Sequence, residues 1–330
     1  MAAEPRVYRW DDDSAPVPTD KQNALYEILK PVLVDGYGSQ PAAGWSVVYD
    51  AWSSDGVCTL TNAAQSGVLG MVRNATTSYG ATLFIADAMI DATHAVTARS
   101  GWSERTDIPA LSNRSGNSCF SGYGNRYKHW IAIANDNFIV IFFANGSAYF
   151  HGSYTSLSWS YLEGFAAGAF RSLRGGGGIS TANPGNFCLM GAPIGIDSGV
   201  EWGSTSAMCL TDESGSVIAG TRYGKQWPWS ESDKNSLGLS NADAIATLSL
   251  RPAEIWTGST SSVQAMYQQG LLPMFLCSNH LLGSSTNTLA DQLSSHRLAA
   301  PATIANKSAY TVNMPYGGHM VLSMALEDWV

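Results

Sequence analysis

The stretch that most restricts the fold is Trp130-Ile131-Ala132-Ile133-Ala134, then Asn135-Asp136-Asn137, then Phe138-Ile139-Val140-Ile141-Phe142-Phe143. Two short runs rich in β-branched and aromatic residues, joined by three small polar ones, read as a β-hairpin. Both strands are apolar at every position, so neither face can lie against water, and the hairpin belongs in the centre of a core. Asn and Asp tolerate the left-handed backbone that a tight turn of this kind is expected to need.

The same rhythm runs along much of the chain. Val47 to Tyr49, Val57 to Thr61, Val68 to Val72 and Thr82 to Ala86 are short strand-like segments separated by Gly, Ser and Asn, the spacing of an all-β protein. Tyr161 to Leu173 fits a strand or a short helix equally well. Further on, Asn186 to Ile194, Thr205 to Thr211, Val217 to Tyr223, Ala244 to Leu250, Met274 to Cys277, Thr303 to Val312 and Met320 to Leu326 also read as strands. Four consecutive glycines, Gly175 to Gly178, cannot sit inside a stable element. The expected architecture is therefore mainly β, as two β-rich domains. The first spans 1–174, with its hairpin at about 129–150, and the second spans 179–330.

One helix interrupts this pattern. Leu25, Ile28, Leu29, Val32 and Leu33 fall on one face, which defines a short amphipathic helix at about 20–33 that packs on something. Thr19 with Gln22 three positions on reads as its capping box. Pro31 costs the last turn a hydrogen bond, and Gly36-Tyr37-Gly38 supplies positive φ for the exit into the strand Trp45 to Tyr49.

Chemistry-bearing motifs are sparse. The six histidines never stand at i, i+4 or beside a glutamate in a zincin pattern, and no Gly-x-Ser-x-Gly elbow is present. The glycine tract lacks the Lys-Ser or Lys-Thr of a phosphate loop. Asp11-Asp12-Asp13 offers oxygen ligands for Ca²⁺ but lacks the glycine and terminal glutamate of an EF-hand, so a solvated exit from a strand is the expected role. Cys58, Cys119, Cys188, Cys209 and Cys277 are far apart and odd in number. Buried free thiols are expected. No catalytic residue, cofactor or metal site follows from these patterns.

Charge narrows the partners. Net charge is −8, and only 13% of residues are charged, about half the usual ~25%. No clustered basic footprint is present, so nucleic acid is not an expected partner. Between Glu254 and Asp291 there is no formal charge, yet Gly270, Pro273 and Gly283 break the run, and a membrane span needs about 20 continuous apolar residues. The composition fits either a weakly charged all-β domain or a surface covered by other proteins. Residues 1–6 have no apolar h-region, so synthesis in the cytoplasm is expected, and the Asn-x-Ser/Thr triplets at Asn74, Asn145 and Asn306 read as chance. Trp227-Pro228-Trp229 lies in a turn-like stretch near Arg222 and Lys225. With Trp256 and Tyr267, these aromatics are the candidate contacts for a protein partner or a glycan; core packing under a long loop is the competing role.

Tyr8-Arg9-Trp10-Asp11-Asp12, Val34-Asp35-Gly36-Tyr37-Gly38 and Ala43-Gly44-Trp45 resemble the N-terminal region of a family of tailed-bacteriophage virion structural proteins, associated with the tail or baseplate. The likeness continues at Trp130 to Phe143 and Gly152 to Ser156, and returns at Glu327-Asp328-Trp329. It implies a protein made in the host bacterial cytoplasm and found in the virion. Its partners would be other virion structural proteins, in a symmetric assembly that includes further copies of itself. The alternative is a tail protein that binds or cleaves host-surface glycans, for which a glycosidase needs two carboxylates at a set separation.

Overall fold

The fold is that of a computed structural model, which describes residues 3–20, 22–73, 81–86, 88–89, 91, 94–100, 103–107, 128–143, 163–172, 187–190, 207–209, 224–227, 250–257, 267–278, 300–304, 306–313 and 319–329. In chain order its elements are β1 (Arg6–Arg9), α1 (Ala24–Lys30), a π-helical turn (Pro31–Asp35), β2 (Ser46–Ala51), β3 (Val57–Thr61), β4 (Val68–Arg73), β5 (Ala81–Ala86), β6 (Ala88–Met89), β7 (His94–Ser100), β8 (Ser103–Asp107), β9 (Trp130–Ala134), β10 (Phe138–Phe143), β11 (Glu163–Ala169), β12 (Arg171–Ser172), β13 (Phe187–Met190), β14 (Ala207–Cys209), β15 (Gly224–Trp227), β16 (Leu250–Thr257), β17 (Tyr267–Ser278), β18 (Ala302–Ile304), β19 (Lys307–Asn313), β20 (His319–Ser323) and a 3-10 turn (Leu326–Asp328). Among the described residues the chain is mainly β, with one short amphipathic helix.

The strands form three antiparallel sheets. One runs β1-β9-β10-β11-β13-β14, a second runs β2-β3-β4-β5-β7-β6 with β8 on β7, and the third runs β15-β16-β17-β20-β19-β18 with β12 on β17. The expected division at Gly175 to Gly178 does not sort these pairings. β11, before the tract, pairs β13, after it, through Ala166↔Met190 to Ala169↔Phe187, and β12 joins the C-terminal sheet at Leu271 and Gly270. Hydrogen-bonded ladders are indifferent to sequence distance, so a glycine tract can connect strands of one sheet as readily as separate two domains. The tract itself lies outside the described residues.

The hairpin is central, as its pattern requires. Every residue of β9 and β10 is buried, and the two strands pair from Ile139↔Ala134 to Phe143↔Trp130. One face, carrying Trp130, Ala132, Ala134, Ile139, Ile141 and Phe143, joins a core with Leu60, Leu69, Met71, Leu83 and Ile85 of the second sheet. The helix closes that core with Leu25, Ile28, Leu29, Val32 and Leu33, all fully buried. Each such side chain contributes about 1.5–3 kcal/mol. On the opposite face, Phe138 meets the indole of Trp329 edge-on at 6.5 Å.

The start of the helix differs from the expected capping box. The α-helix begins at Ala24, and its N-cap Asn23 makes no side-chain cap bond, because that amide is engaged elsewhere: it accepts the Trp52 Nε1 proton at 2.9 Å and donates to Asp20. Thr19 instead binds the Glu27 carboxylate, through its N–H at 2.7 Å and its hydroxyl at 2.8 Å. Pro31, lacking an N–H, ends the α-ladder. The chain continues as a π turn closed by the Gly36 N–H on the Pro31 carbonyl at 2.8 Å. Gly36 and Gly38 take the positive φ the corner needs, +77° and +51°.

The turn at Asn135 to Asn137 is not left-handed; none of its three residues has positive φ. Asn135 Oδ1 accepts the N–H groups of Asn137 and Phe138, both at 2.9 Å, an Asx turn that closes the hairpin without special backbone. The remaining polar atoms tie down other elements. Asn135 O accepts the Trp45 Nε1 proton at 3.0 Å, Asp136 O accepts the Ala63 N–H, and Asn137 Oδ1 accepts the Ala64 N–H. Asn137 O accepts both Asn62 Nδ2 and the Ala169 N–H, while Asp136 Oδ1 accepts the Ala3 N–H and Asn135 Nδ2 donates to Ala3 O. Asn135→Ala leaves two buried N–H groups without acceptors, and should destabilise the chain by about 2–4 kcal/mol in urea unfolding; a loss below about 0.5 kcal/mol would mean that water replaces the amide.

Candidate functional site

Four aromatics are the sequence-derived contact candidates. Trp227 ends β15 opposite Glu254, Trp256 lies in β16 between Lys225 and Gln268, and Tyr267 opens β17 opposite Thr257. Three adjacent strands thus bring these backbone positions to one stretch of the C-terminal sheet. Trp229 lies outside the described residues.

The charge-free stretch 255–290 contributes β17 to the same sheet. β17 is an interior strand, paired with β16 on one side and with β12 and β20 on the other. Leu272 and Met274 are buried within the chain itself. The low charge of that segment is therefore accounted for in part by the fold, since an unpaired charge on an interior strand would cost several kcal/mol.

Within the acidic run at the end of β1, Asp11 and Asp13 are exposed as a solvated exit requires, while Asp12 turns inward as a structural clasp. Asp12 Oδ2 accepts the Arg9 N–H at 2.9 Å, the Tyr37 hydroxyl at 2.8 Å and Gln40 Nε2 at 3.2 Å, so β1 is fastened to the glycine corner. Burial, with the Asp12 carboxylate beside it, raises the Tyr37 pKa, so the hydroxyl stays protonated and donates. Asp11 forms a forked pair with Arg9, at 2.8 and 2.6 Å, and that hydrogen bond raises the Arg9 pKa. Tyr310 of β19 lies within electrostatic reach of Arg9, Asp11 and Asp12. Among the described residues no group of three His, Cys, Asp or Glu could hold a metal ion.

A second cluster, which the sequence did not single out, lies where the helix meets β2. Tyr26 and Trp52 stack at 4.8 Å with planes 3° apart, with Lys30 over the tyrosine and Arg73 over the indole, each at 5.8 Å. The Tyr26 hydroxyl donates to Asp50 at 3.0 Å, and Lys30 lies 3.4 Å from Asp50 and 3.6 Å from Asp35. With these four groups in one ladder, the rings are engaged with the chain's own side chains. The arrangement fixes the helix on the sheet, each aromatic and cation contact adding about 0.5–1.5 kcal/mol. Its signal in sequence is weak, because the two aromatics are 26 positions apart.

The C-terminal turn makes a third cluster. Lys307 pairs with Asp328 at 2.8 Å and Glu327 at 3.0 Å, Ser323 Oγ bonds to the Asp328 carboxylate, and Trp329 Nε1 donates to Ser323 O at 2.9 Å. The hydrogen bond to Asp328 is the main cause of a raised Lys307 pKa. These bonds seat Trp329 against Phe138.

No protein-family model matches this chain, and no curated protein matches it. Among the described residues no helix is long and apolar enough to cross a membrane.

Cys58 and Cys188 are free and buried. Burial pushes the Cys58 thiol up from 9.0 to about 12, helped by the Asp50 charge, and burial alone raises Cys188. A thiol whose folded pKa is raised stabilises the fold below its unfolded pKa, and that contribution is lost as pH rises through the folded value. For Cys58 the window is pH 9 to about 12. Thiol titration at pH 8 should leave both cysteines unreactive until denaturant is added, and urea stability should fall across that window; fast labelling of Cys58 in the native chain would contradict its burial.

Proposed function

We propose that this chain is a structural subunit of a tailed-phage virion, associated with the tail or baseplate, that works through contacts with other virion proteins and carries out no catalysis. One observation carries the reading: described residues that resemble the phage family hold this fold together, while Gly152 to Ser156 lie outside the described residues. Tyr8 is fully buried, and its hydroxyl donates to Pro41 O at 3.0 Å. Asp12 and Tyr37 form the clasp, Gly36 and Gly38 the corner, and Trp45 reaches the Asn135 carbonyl. Asp328 and Trp329 close the C-terminal turn on the hairpin. A motif set devoted to architecture is what a subunit selected for its shape would keep.

Charge supports the same reading. With few ionic groups to desolvate, such a chain loses little on burying surface, and stable interfaces bury on the order of 1,200–2,000 Å². Cyclic symmetry would give every copy an equivalent environment, with Trp227, Trp229, Trp256 and Tyr267 as contact candidates. Mass spectrometry of purified particles should find the chain at a fixed stoichiometry. Leu29→Asp, which places an unpaired charge in the core at a cost of several kcal/mol, should remove it from the particle. Absence of the natural chain from virions, together with binding to purified host polysaccharide that Trp256→Ala abolishes, would replace this reading with the glycan-binding one.

A further inference from the structure

β1 stands at the edge of its sheet, and the geometry around it points to exchange between copies. We propose that residues 3–13 form an exchangeable arm, which in a pair of copies leaves its own β9 and pairs with β9 of the second copy, with residues 14–17 as the hinge. The proposal rests on the reading of the chain as an assembly subunit.

The arm is held by a strand ladder and a set of hydrogen bonds. Among the described residues β1 pairs only with β9, from Arg6↔Ala134 to Arg9↔Ile131. Arg6 donates to Ala42 O, Tyr8 to Pro41 O, and Ala3 meets Asp136 and Asn135. Asp12 accepts from Tyr37 and Gln40. A second copy offers the same partners at the same register, so the closed and exchanged forms share these contacts and differ at the hinge. Equivalence of this kind makes strand exchange a low-cost route to association.

The hinge favours opening. Ser14 has φ +60°, a left-handed conformation for a residue with a Cβ. Pro16 and Pro18 fix their own φ and bias Ala15 and Val17 toward extended backbone. Val17, between them, is 77% exposed, and the bond from Trp130 Nε1 to Pro16 O is long, at 3.4 Å. Short hinges under strain invite exchange.

Two cysteine pairs test the arrangement in the full chain: Val7→Cys with Ile133→Cys, and Arg6→Cys with Ala134→Cys. They occupy neighbouring register pairs, and since such pairs alternate between wide and close Cα separations, one of the two suits a disulfide. After oxidation at concentrations where light scattering reads association, the expected product on a non-reducing gel is a covalent dimer, absent from the natural chain oxidised in parallel. Ser14→Gly, which relieves the hinge, should lower the dimer association constant about fivefold. Cross-linked monomer alone in an associated sample overturns the exchange and leaves the virion reading standing. A chain that stays monomeric at every concentration overturns the exchange as well, and an unchanged association constant in Ser14→Gly overturns the hinge argument. Absence from purified particles overturns the virion reading instead, whatever the gel shows.

Discussion

The structure depends on the polar turn at Asn135 to Asn137. Asn135 and Asn137 are buried at 1% and 8% exposure, and a buried amide left unpaired costs about 1–3 kcal/mol. The turn therefore holds its shape only if its neighbours arrive in register to satisfy it. Those neighbours are the 62–66 turn between β3 and β4, the Trp45 indole, the end of β11 and the backbone at Ala3. The second sheet and both strand neighbours of the hairpin thereby meet at one point. Hydrophobic burial supplies most of the stabilisation, but it is not directional. The turn's hydrogen bonds determine which strands lie where.

The glycines around this joint are there for contact as much as for conformation. Gly168, at φ +136°, brings the β11 backbone so close that a Cβ would lie 2.3 Å from Asn137 O, and Gly44, at φ +104°, passes the Asp136 side chain, with a Cβ there 3.3 Å from the Asp136 Cβ. In the second sheet, Gly70 leaves room for the ring of its cross-strand partner Phe84. At the opposite face of the hairpin, Trp329 rests on Phe138 while its indole N–H is satisfied by Ser323 O. A large aromatic can be buried this way because its one polar atom is paired.

What could be read from the chain beforehand was whatever rests on local pattern. β3 spans Val57–Thr61 and the hairpin spans 130–143 as alternation and apolar runs require, and the helix buries the face its spacing defines. Within Tyr161 to Leu173, ambiguous by period, the described residues form the strands β11 and β12, and Ala166 to Gly168 pair with both β10 and β13. What could not be read rests on partners distant in sequence. Asn23 forgoes its cap for Trp52, Asp12 turns inward to Tyr37 and Gln40, and β11 pairs β13 across the glycine tract. Of the strand expected at Ala244 to Leu250, only Leu250 is among the described residues; it belongs to β16, which runs to Thr257 with Pro252 and a bulge making its pattern irregular. Of the contact candidates, three lie on adjacent strands, a neighbourhood set by register that no periodicity could have revealed.

The most direct measurement on the joint is native-state hydrogen exchange at the amides of Ala63, Ala64, Ser66, Asn137, Phe138 and Ala169, compared with those of Ile133 and Val140 in the hairpin. If the turn fastens the sheets, all of these amides open together, with the free energy of global unfolding and the same denaturant dependence. Exchange at 63, 64, 66 and 169 through small local openings, while 133 and 140 stay protected to the global limit, would show that the sheets are held by the apolar core alone and would contradict the account.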